Sequence, residues 1–325
     1  MILLLSKESD ESTNNVIDWL EYYKADYTRC NGDKFDLNDF FFQISNNHID
    51  KVSNLPVSPK DINVVWYRRW GNMSGLSSID DEDLDNEFCV SINNHLKHEK
   101  TKLSHSFFSL FGHSFWLSKP DLYSSDDKFL YLKTAKSVGI NIPETYILNS
   151  KSKLHEILIS GKKLITKSMS NAHRIRYNNQ TYIPYTEEIT LEDLDKLEAK
   201  FMVSLFQEKI EKQYEIRTFF LKDSFYSMAI FSQNDNQTKV DFRKYNFSKP
   251  NRTVPYILPE ELRVKLKILM KKLDINTGSI DLIKSKQGNY YFLEINPIGQ
   301  FGMTSIPCNY HLDKKIAEFL ISKNN

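Results

Sequence analysis

Cysteine, glycine and proline are all scarce in this chain, neither sign of charge is in excess, and no long apolar run occurs. Three cysteines in 325 residues, Cys30, Cys89 and Cys308, lie far apart and are odd in number. They form no CxxC and no Cys/His metal spacing, which argues against a disulfide framework or a zinc site and fits a reducing cytoplasm. The eight histidines likewise show no metal spacing. With only 10 Gly and 10 Pro, long disordered linkers and collagen-like segments are excluded. Lys and Arg number 43 against 42 Asp and Glu, so the basic excess of a nucleic-acid-coating protein is missing. The opening Met1-Ile2-Leu3-Leu4-Leu5 is too short for a signal-peptide core. Nothing approaches the roughly 20 apolar residues that span a bilayer.

Apolar residues still make up 40% and aromatic residues 13% of the chain, enough for a sizeable core. At about 100–200 residues per domain the length predicts two or three domains of α/β (α+β) class. Ile2–Leu5 reads as a buried strand, and Ser12 or Thr13 opens a helix with Val16, Ile17, Leu20 and Tyr23 inward. Ile62–Tyr67 is a second strand, which suggests a small parallel sheet. Six acids in positions 80–88 read as a solvated helix start or loop, followed by a helix over about 89–110. A boundary is placed near residue 118. The next unit, 119–200, opens with a helix from Lys128 to Val138, capped by Ser124–Asp127, with Phe129, Leu132, Ala135 and Val138 inward and Gly139 as its stop. A strand ends at Lys167, and 168–186 is turn-rich, a candidate lid with Asn178-Asn179 at a hairpin tip. The last unit, 201–325, is β-rich, with a long loop over 232–255, a helix over Glu260–Leu273 and a closing helix after Asp313.

The most informative segment runs from Gly278 to Pro297. Two apolar-patterned strands flank Gln287-Gly288-Asn289, a hairpin signal. A Gln287-Gly288 loop sets Asp281 opposite Glu294; a Gly288-Asn289 loop sets it opposite Asn296. Either way Asp281, Glu294 and Asn296 share one face, since strand side chains repeat every second residue. A loop of odd length spoils this. Ile280, Leu282, Leu293 and Ile295 bury the other face. Two carboxylates and an amide oxygen repel unless a cation sits between them, and hard oxygen donors suit magnesium.

Other residues fall into line with this hairpin. Lys128 begins a helix, where a cation opposes the positive end of the dipole and gains from a nearby anion. Lys167 closes a strand, Phe206–Ile210 forms a Gln-Glu-x-Ile segment, and Glu215 is followed by Arg217. Together these residues resemble the ATP-grasp superfamily over about residues 119–312. The resemblance implies that Lys128 and Lys167 contact the phosphates of ATP. It implies adenine held by Gln207 and the main chain of Glu208 and Ile210, with Glu215 on the ribose. Asp281, Glu294 and Asn296 would hold Mg2+, as two ions. The glycine-rich loop that many members carry after the strand lysine is replaced here by Ser168–Arg174, which has no glycine. Val64–Arg69, Phe115–Pro120, Asp241–Arg243 and Gly299–Met303 further resemble the graspetide maturases, the microviridin-type and grasp-with-spasm group.

That resemblance implies a cytoplasmic ligase that activates Asp or Glu side chains of a precursor peptide as acyl phosphates. It would join them to Ser or Thr hydroxyls (ω-ester) or Lys amines (ω-amide). The partner would be a peptide with a leader and a Thr/Glu/Asp-rich core, and a homodimer is suggested. Arg217 and Arg243, with Arg68, Arg69 and Arg174, are candidates to clamp the substrate carboxylate, because a guanidinium fork fits paired oxygens. His173 and Asp241 are candidate bases. A ligase that appends free amino acids, and a non-catalytic nucleotide-binding regulator, are the competing readings.

Overall fold

The computed structural model describes residues 1–35, 41, 55–70, 79, 85–121, 127–169, 175–178, 180–244 and 246–324. Most of the acidic run at 80–88, the serines before Asp127, and His48, His173, Arg174 and Asn179 lie outside the described residues. The chain divides into two compact units, 1–120 with 311–325, and 121–310.

In the first unit, β1 (Ile2–Ser6) is buried at every position. A strand buried on both faces reads as a continuous apolar run, the mark of a parallel sheet. It pairs in parallel with β2 (Tyr27–Asn31) and β3 (Val64–Tyr67). β4 (Phe115–Leu117) completes the order β2-β1-β3-β4. Helix α1 (Glu11–Tyr22) begins one residue before the expected start, because the Asp10 side chain accepts the Ser12 N–H as its cap. It buries Thr13, Val16 and Leu20, whereas Tyr23 points outward. α2 (Asn86–Ser109) carries Phe107 and Phe108 into an aromatic core with Phe35, Trp70 and Phe111. Trp66 is buried in the same unit, as expected of a strand covered on both faces.

The second unit holds two larger antiparallel sheets. α3 (Lys128–Ser137) is capped by Asp127, whose carboxylate accepts the Leu130 N–H. It buries Tyr131, Leu132 and Ala135, but Phe129 is 57% exposed, so the inward position expected for Phe129 belongs to Tyr131. Gly139 follows with a left-handed φ of 75° that ends the helix. β5 (Thr145–Ser150), α4 (Lys151–Ile159) and β6 (Leu164–Lys167) come next. A small hairpin of β7 (Ile175–Tyr177) and β8 (Gln180–Tyr182) has Asn178 at its tip, in the expected lid. β9 (Glu187–Ile189) and β10 (Lys200–Glu208) give the order β5-β10-β6-β9.

The last sheet runs β13-β12-β11-β14-β15. Its strands are β11 (Lys212–Leu221), β12 (Ser224–Phe231), β13 (Arg252–Tyr256), β14 (Thr277–Ser285) and β15 (Tyr290–Asn296). The stretch expected to be loop up to residue 255 therefore ends in a strand. β13 tolerates Pro255 because it is the sheet edge, where a missing N–H costs no ladder bond. α3 and α5 (Glu260–Lys272) cover one face, packing Leu262, Leu266 and Leu269 on Ile216, Ile280, Phe292 and Ile295. α6 (Gly302–Cys308) follows, and α7 (Leu312–Asn324) packs on α1 in the first unit. No helix of the described residues is long and apolar enough to cross a membrane.

Candidate active site

The face of the β11–β15 sheet away from α3 and α5 owes its chemistry to a defect in a hairpin. Between β14 and β15 the loop is Lys286-Gln287-Gly288, closed by Ser285 N–H donating to Asn289 O at 2.8 Å. This three-residue loop, with Gly288 at φ 88°, replaces the expected two-residue one. Continued without interruption, it would set Asp281 against Leu293. A bulge between Asp281 and Leu282 restores the parity, so Asp281 opposes Glu294 and Ser279 opposes Asn296. The three oxygen-bearing side chains thus share the cleft face after all. The bulge also turns Leu293, expected in the core, onto the cleft wall.

β11 lies beside β14, with Arg217 directly opposite Asp281. One terminal nitrogen of Arg217 donates to both Asp281 oxygens at 3.2 Å. Lys128, in the first turn of α3, places Nζ 3.3 Å from Glu294 Oε2 and donates to the Ser168 carbonyl at 3.2 Å. Lys167, at the end of β6, stands 3.7 Å from the same Glu294 oxygen. Arg243 grips Asp241 as a fork at 2.9 and 2.6 Å, and Asp241 also accepts the Thr186 N–H at 3.0 Å. All of these residues line one cleft of about 420 Å³.

The two carboxylates are unequal. Burial works against charge on Glu294, but Lys167, then Lys128 and Arg243, outweigh it and hold the carboxyl at about 2. Asp281 is pushed up by burial and by Glu294 across the strand pair, against the pull of Arg217. Burial lowers Lys167, with Glu294 opposing. Among the described residues, no three His, Cys, Asp or Glu side chains gather as a metal-binding group. The candidate set is two carboxylates and an amide.

At the other end, Gln207 is fully buried and donates from Nε2 to Thr145 Oγ1 at 2.9 Å. Its Oε1 has no hydrogen-bond partner. The Glu208 N–H is engaged with Glu144 O at 2.8 Å. Glu215 is ion-paired with Lys212, yet its Oε2 is buried without a hydrogen bond. Burial, more than Lys212 can offset, raises its carboxyl to about 7. Lys212 escaped the sequence reading because three residues along a strand reverse the face. A register shift between Lys212 and Tyr214 brings it back beside Glu215.

No protein-family model and no curated protein matches the chain. Solved structures do. A RiPP-associated ATP-grasp ligase from Chryseobacterium gregarium, solved in complex with ADP and a leader and core peptide, is 25% identical with a TM-score of 0.84, covering 99% of this chain and 96% of that one. The macrocyclase MdnC from Microcystis aeruginosa, bound with precursor peptide MdnA, is 26% identical with a TM-score of 0.78, covering 99% of both chains. The chain has the ATP-grasp fold. The ligase PsnB, at 14% identity and a TM-score of 0.75, shares the fold.

The arginines expected to touch substrate on this ATP-grasp fold belong to both units. Arg217 and Arg243 line the cleft. Arg68 belongs to the first unit, is 4% exposed and faces Asp10, with Nε 3.7 Å from Oδ2. Arg69 approaches the same oxygen at 4.0 Å. Of the two candidate bases, Asp241 is a poor one. Burial raises it, but the Arg243 fork and backbone N–H donors prevail and hold its carboxyl below the usual range.

Proposed function

We propose that this chain is an ATP-dependent peptide macrocyclase, a graspetide synthetase. The supporting observation is the convergence of Lys128, Lys167, Arg217 and Arg243 on the Asp281–Glu294–Asn296 face within one cleft. Two relatives at 25% and 26% identity bind a leader and core peptide or a precursor peptide.

The residues present fit both small-molecule requirements. Buried Gln207 Oε1 and Glu215 Oε2 are acceptors without hydrogen-bond partners in the cleft, so they fit the hydrogen-bond donors of a nucleoside. Asp281, Glu294 and Asn296 offer the hard oxygen donors that magnesium prefers. Bound there, Mg2+, as two ions, would neutralise phosphate charge. Lys128 and Lys167 would hold the phosphates, Glu215 the ribose, and Gln207 with the Glu208 and Ile210 backbone the base.

A side-chain carboxylate of the peptide attacks the terminal phosphoryl group, which leaves as an acyl phosphate while ADP departs. A Ser or Thr hydroxyl or Lys amine then attacks the acyl carbon. Phosphate is expelled and the nucleophile's proton is lost. Carboxylate and triphosphate are both anions, so the first step needs positive charge fixed between them. Arg217 and Arg243 supply it, and their guanidinium forks orient the incoming carboxylate. Thr186, joined to the 232–255 segment through Asp241, ties the base of the lid to that arginine and helps keep water out.

The test is incubation with a Thr- and Asp/Glu-bearing precursor peptide, ATP and magnesium, read by mass spectrometry and ADP release. Loss of one water per ring supports the macrocyclase. An added amino acid would make the chain an amino-acid ligase instead, and peptide-independent silence would make it a regulator.

A further inference from the structure

The first unit carries an aromatic face that the reaction does not use. α1 buries Thr13, Val16 and Leu20. Beside α7 it presents Trp19 and Tyr22, followed by its cap residue Tyr23, with Tyr22 72% exposed. The rings are fixed against one another. Trp19 and Tyr22 meet edge to face with centroids 5.6 Å apart, and Tyr22 and Tyr23 do so at 5.3 Å. α7 supplies two anchors: Trp19 Nε1 donates to Asp313 at 2.8 Å, and the Tyr23 hydroxyl donates to Glu318 at 2.8 Å. Together they line an open groove of about 630 Å³ with Asp18.

Two features say what this groove takes. One cation already sits in it: the Lys314 ammonium lies 5.2 Å from the Trp19 ring centre and 3.9 Å from Glu318. A second acid is unused, because among the described residues the Asp18 side chain makes no hydrogen bond or ion pair within the groove it lines. It stands one turn from Tyr22, so the exposed ring and the spare carboxylate face the same place. In the lining Asp18 and Asp313 outnumber Lys314, which leaves the groove negative. A guanidinium stacks on an aromatic face and pairs with a carboxylate at once. Rigid Tyr and Trp side chains give contact area at little cost in ordering.

We propose that the α1–α7 face docks an arginine-bearing peptide segment, with a guanidinium stacked on Tyr22 and paired with Asp18. The surface lies wholly in the first unit, and the inference does not depend on the ligase reaction proposed above. The probe is a blocked synthetic peptide of alternating glycine and arginine, titrated into the whole protein. The readout is the Trp19 indole N–H resonance, assigned by its loss in Trp19→Phe. A saturable shift is expected, weakened by salt and absent when glutamine replaces arginine in the peptide. Tyr22→Ala and Asp18→Asn, both at exposed positions, should each weaken binding by about fivefold or more while circular dichroism is unchanged. Equal binding of the glutamine peptide, unaltered affinity in both variants, or no saturation at millimolar peptide would each overturn the proposal. So would a shift that depends on protein concentration without peptide, which would assign the face to a second copy of the chain.

Discussion

The two ends of the cleft are prepared in opposite ways. At the Gln207 end, buried oxygens on Gln207 and Glu215 stand without hydrogen-bond partners. At the hairpin end each of the four cations already has a carboxylate: Lys128 and Lys167 have Glu294, Arg217 has Asp281, and Arg243 has Asp241. The first end accepts a ligand without breaking anything. On the proposed reading the second would exchange partners, because lysines binding phosphate would let go of Glu294 and an arginine binding a carboxylate would let go of Asp281. Charges held in pairs avoid the cost of lying alone in a half-buried cleft. Base recognition would then belong to a preformed pocket, and charge recognition to a set of interchangeable pairs.

The sharpest break of that contrast is Glu294→Gln. It removes the negative charge of a proposed metal donor, which is also the counter-charge of two lysines. Ring formation should fall by about a thousandfold, consistent with several kcal/mol of charge stabilisation. The folded protein should lose about 1–3 kcal/mol, from buried lysines left unpaired. A rate within tenfold of the parent would dismiss the trio as the metal site. Arg217→Ala separates the clamp from the nucleotide. Turnover should drop by about a hundredfold while the Kd for ATP moves by less than about threefold. Lost ATP binding with normal turnover of bound ATP would place Arg217 on the phosphates instead. Gln207→Ala acts on the preformed end. ATP should bind about tenfold more weakly with kcat at saturation unchanged, because one hydrogen bond in a buried site is lost.

What the sequence made legible, and what it hid, follows the same division. Spacing by two placed Glu294 with Asn296, and Glu215 with Arg217, on one face of their strands. Those inferences survive because a strand's alternation is local. The path to the first was not as read. The loop is odd, and a bulge that adds Leu293 to the cleft wall corrects it. A bulge has no residue signature in this hairpin, and neither does the register shift that brings Lys212 to Glu215. Helix faces were read less well. Phe129 was expected inside α3, but the helix turns Tyr131 inward in its place, since both are aromatic and only packing distinguishes them. α4 went unread because only Leu154 and Leu158 mark its buried side. The arginine pair at 68 and 69 was named from residue type, and the structure adds a neighbour that type does not show: Asp10, the cap of α1, lies 3.7 and 4.0 Å from their Nε atoms.

The smallest effect sits at Glu215 and concerns the folded state alone. Its carboxyl is raised from 4.5 to about 7, chiefly by burial, so between those values the folded chain holds a proton that the unfolded chain releases. The stabilisation linked to that proton is complete below pH 4.5 and is lost as pH rises towards 7. At 1.36 kcal/mol per pH unit the ceiling is about 3 kcal/mol. Lys212, paired with the ionised form, returns part of it. Glu215→Gln keeps the shape and removes the titration. Chemical denaturation of both proteins at several pH values should therefore show the parent losing stability relative to the variant, by about 1–2 kcal/mol between pH 5 and 7. A constant difference across that window would mean that Lys212 already holds Glu215 ionised. Glu215 would then be paired as the hairpin carboxylates are, and the contrast between the two ends would rest on Gln207 alone.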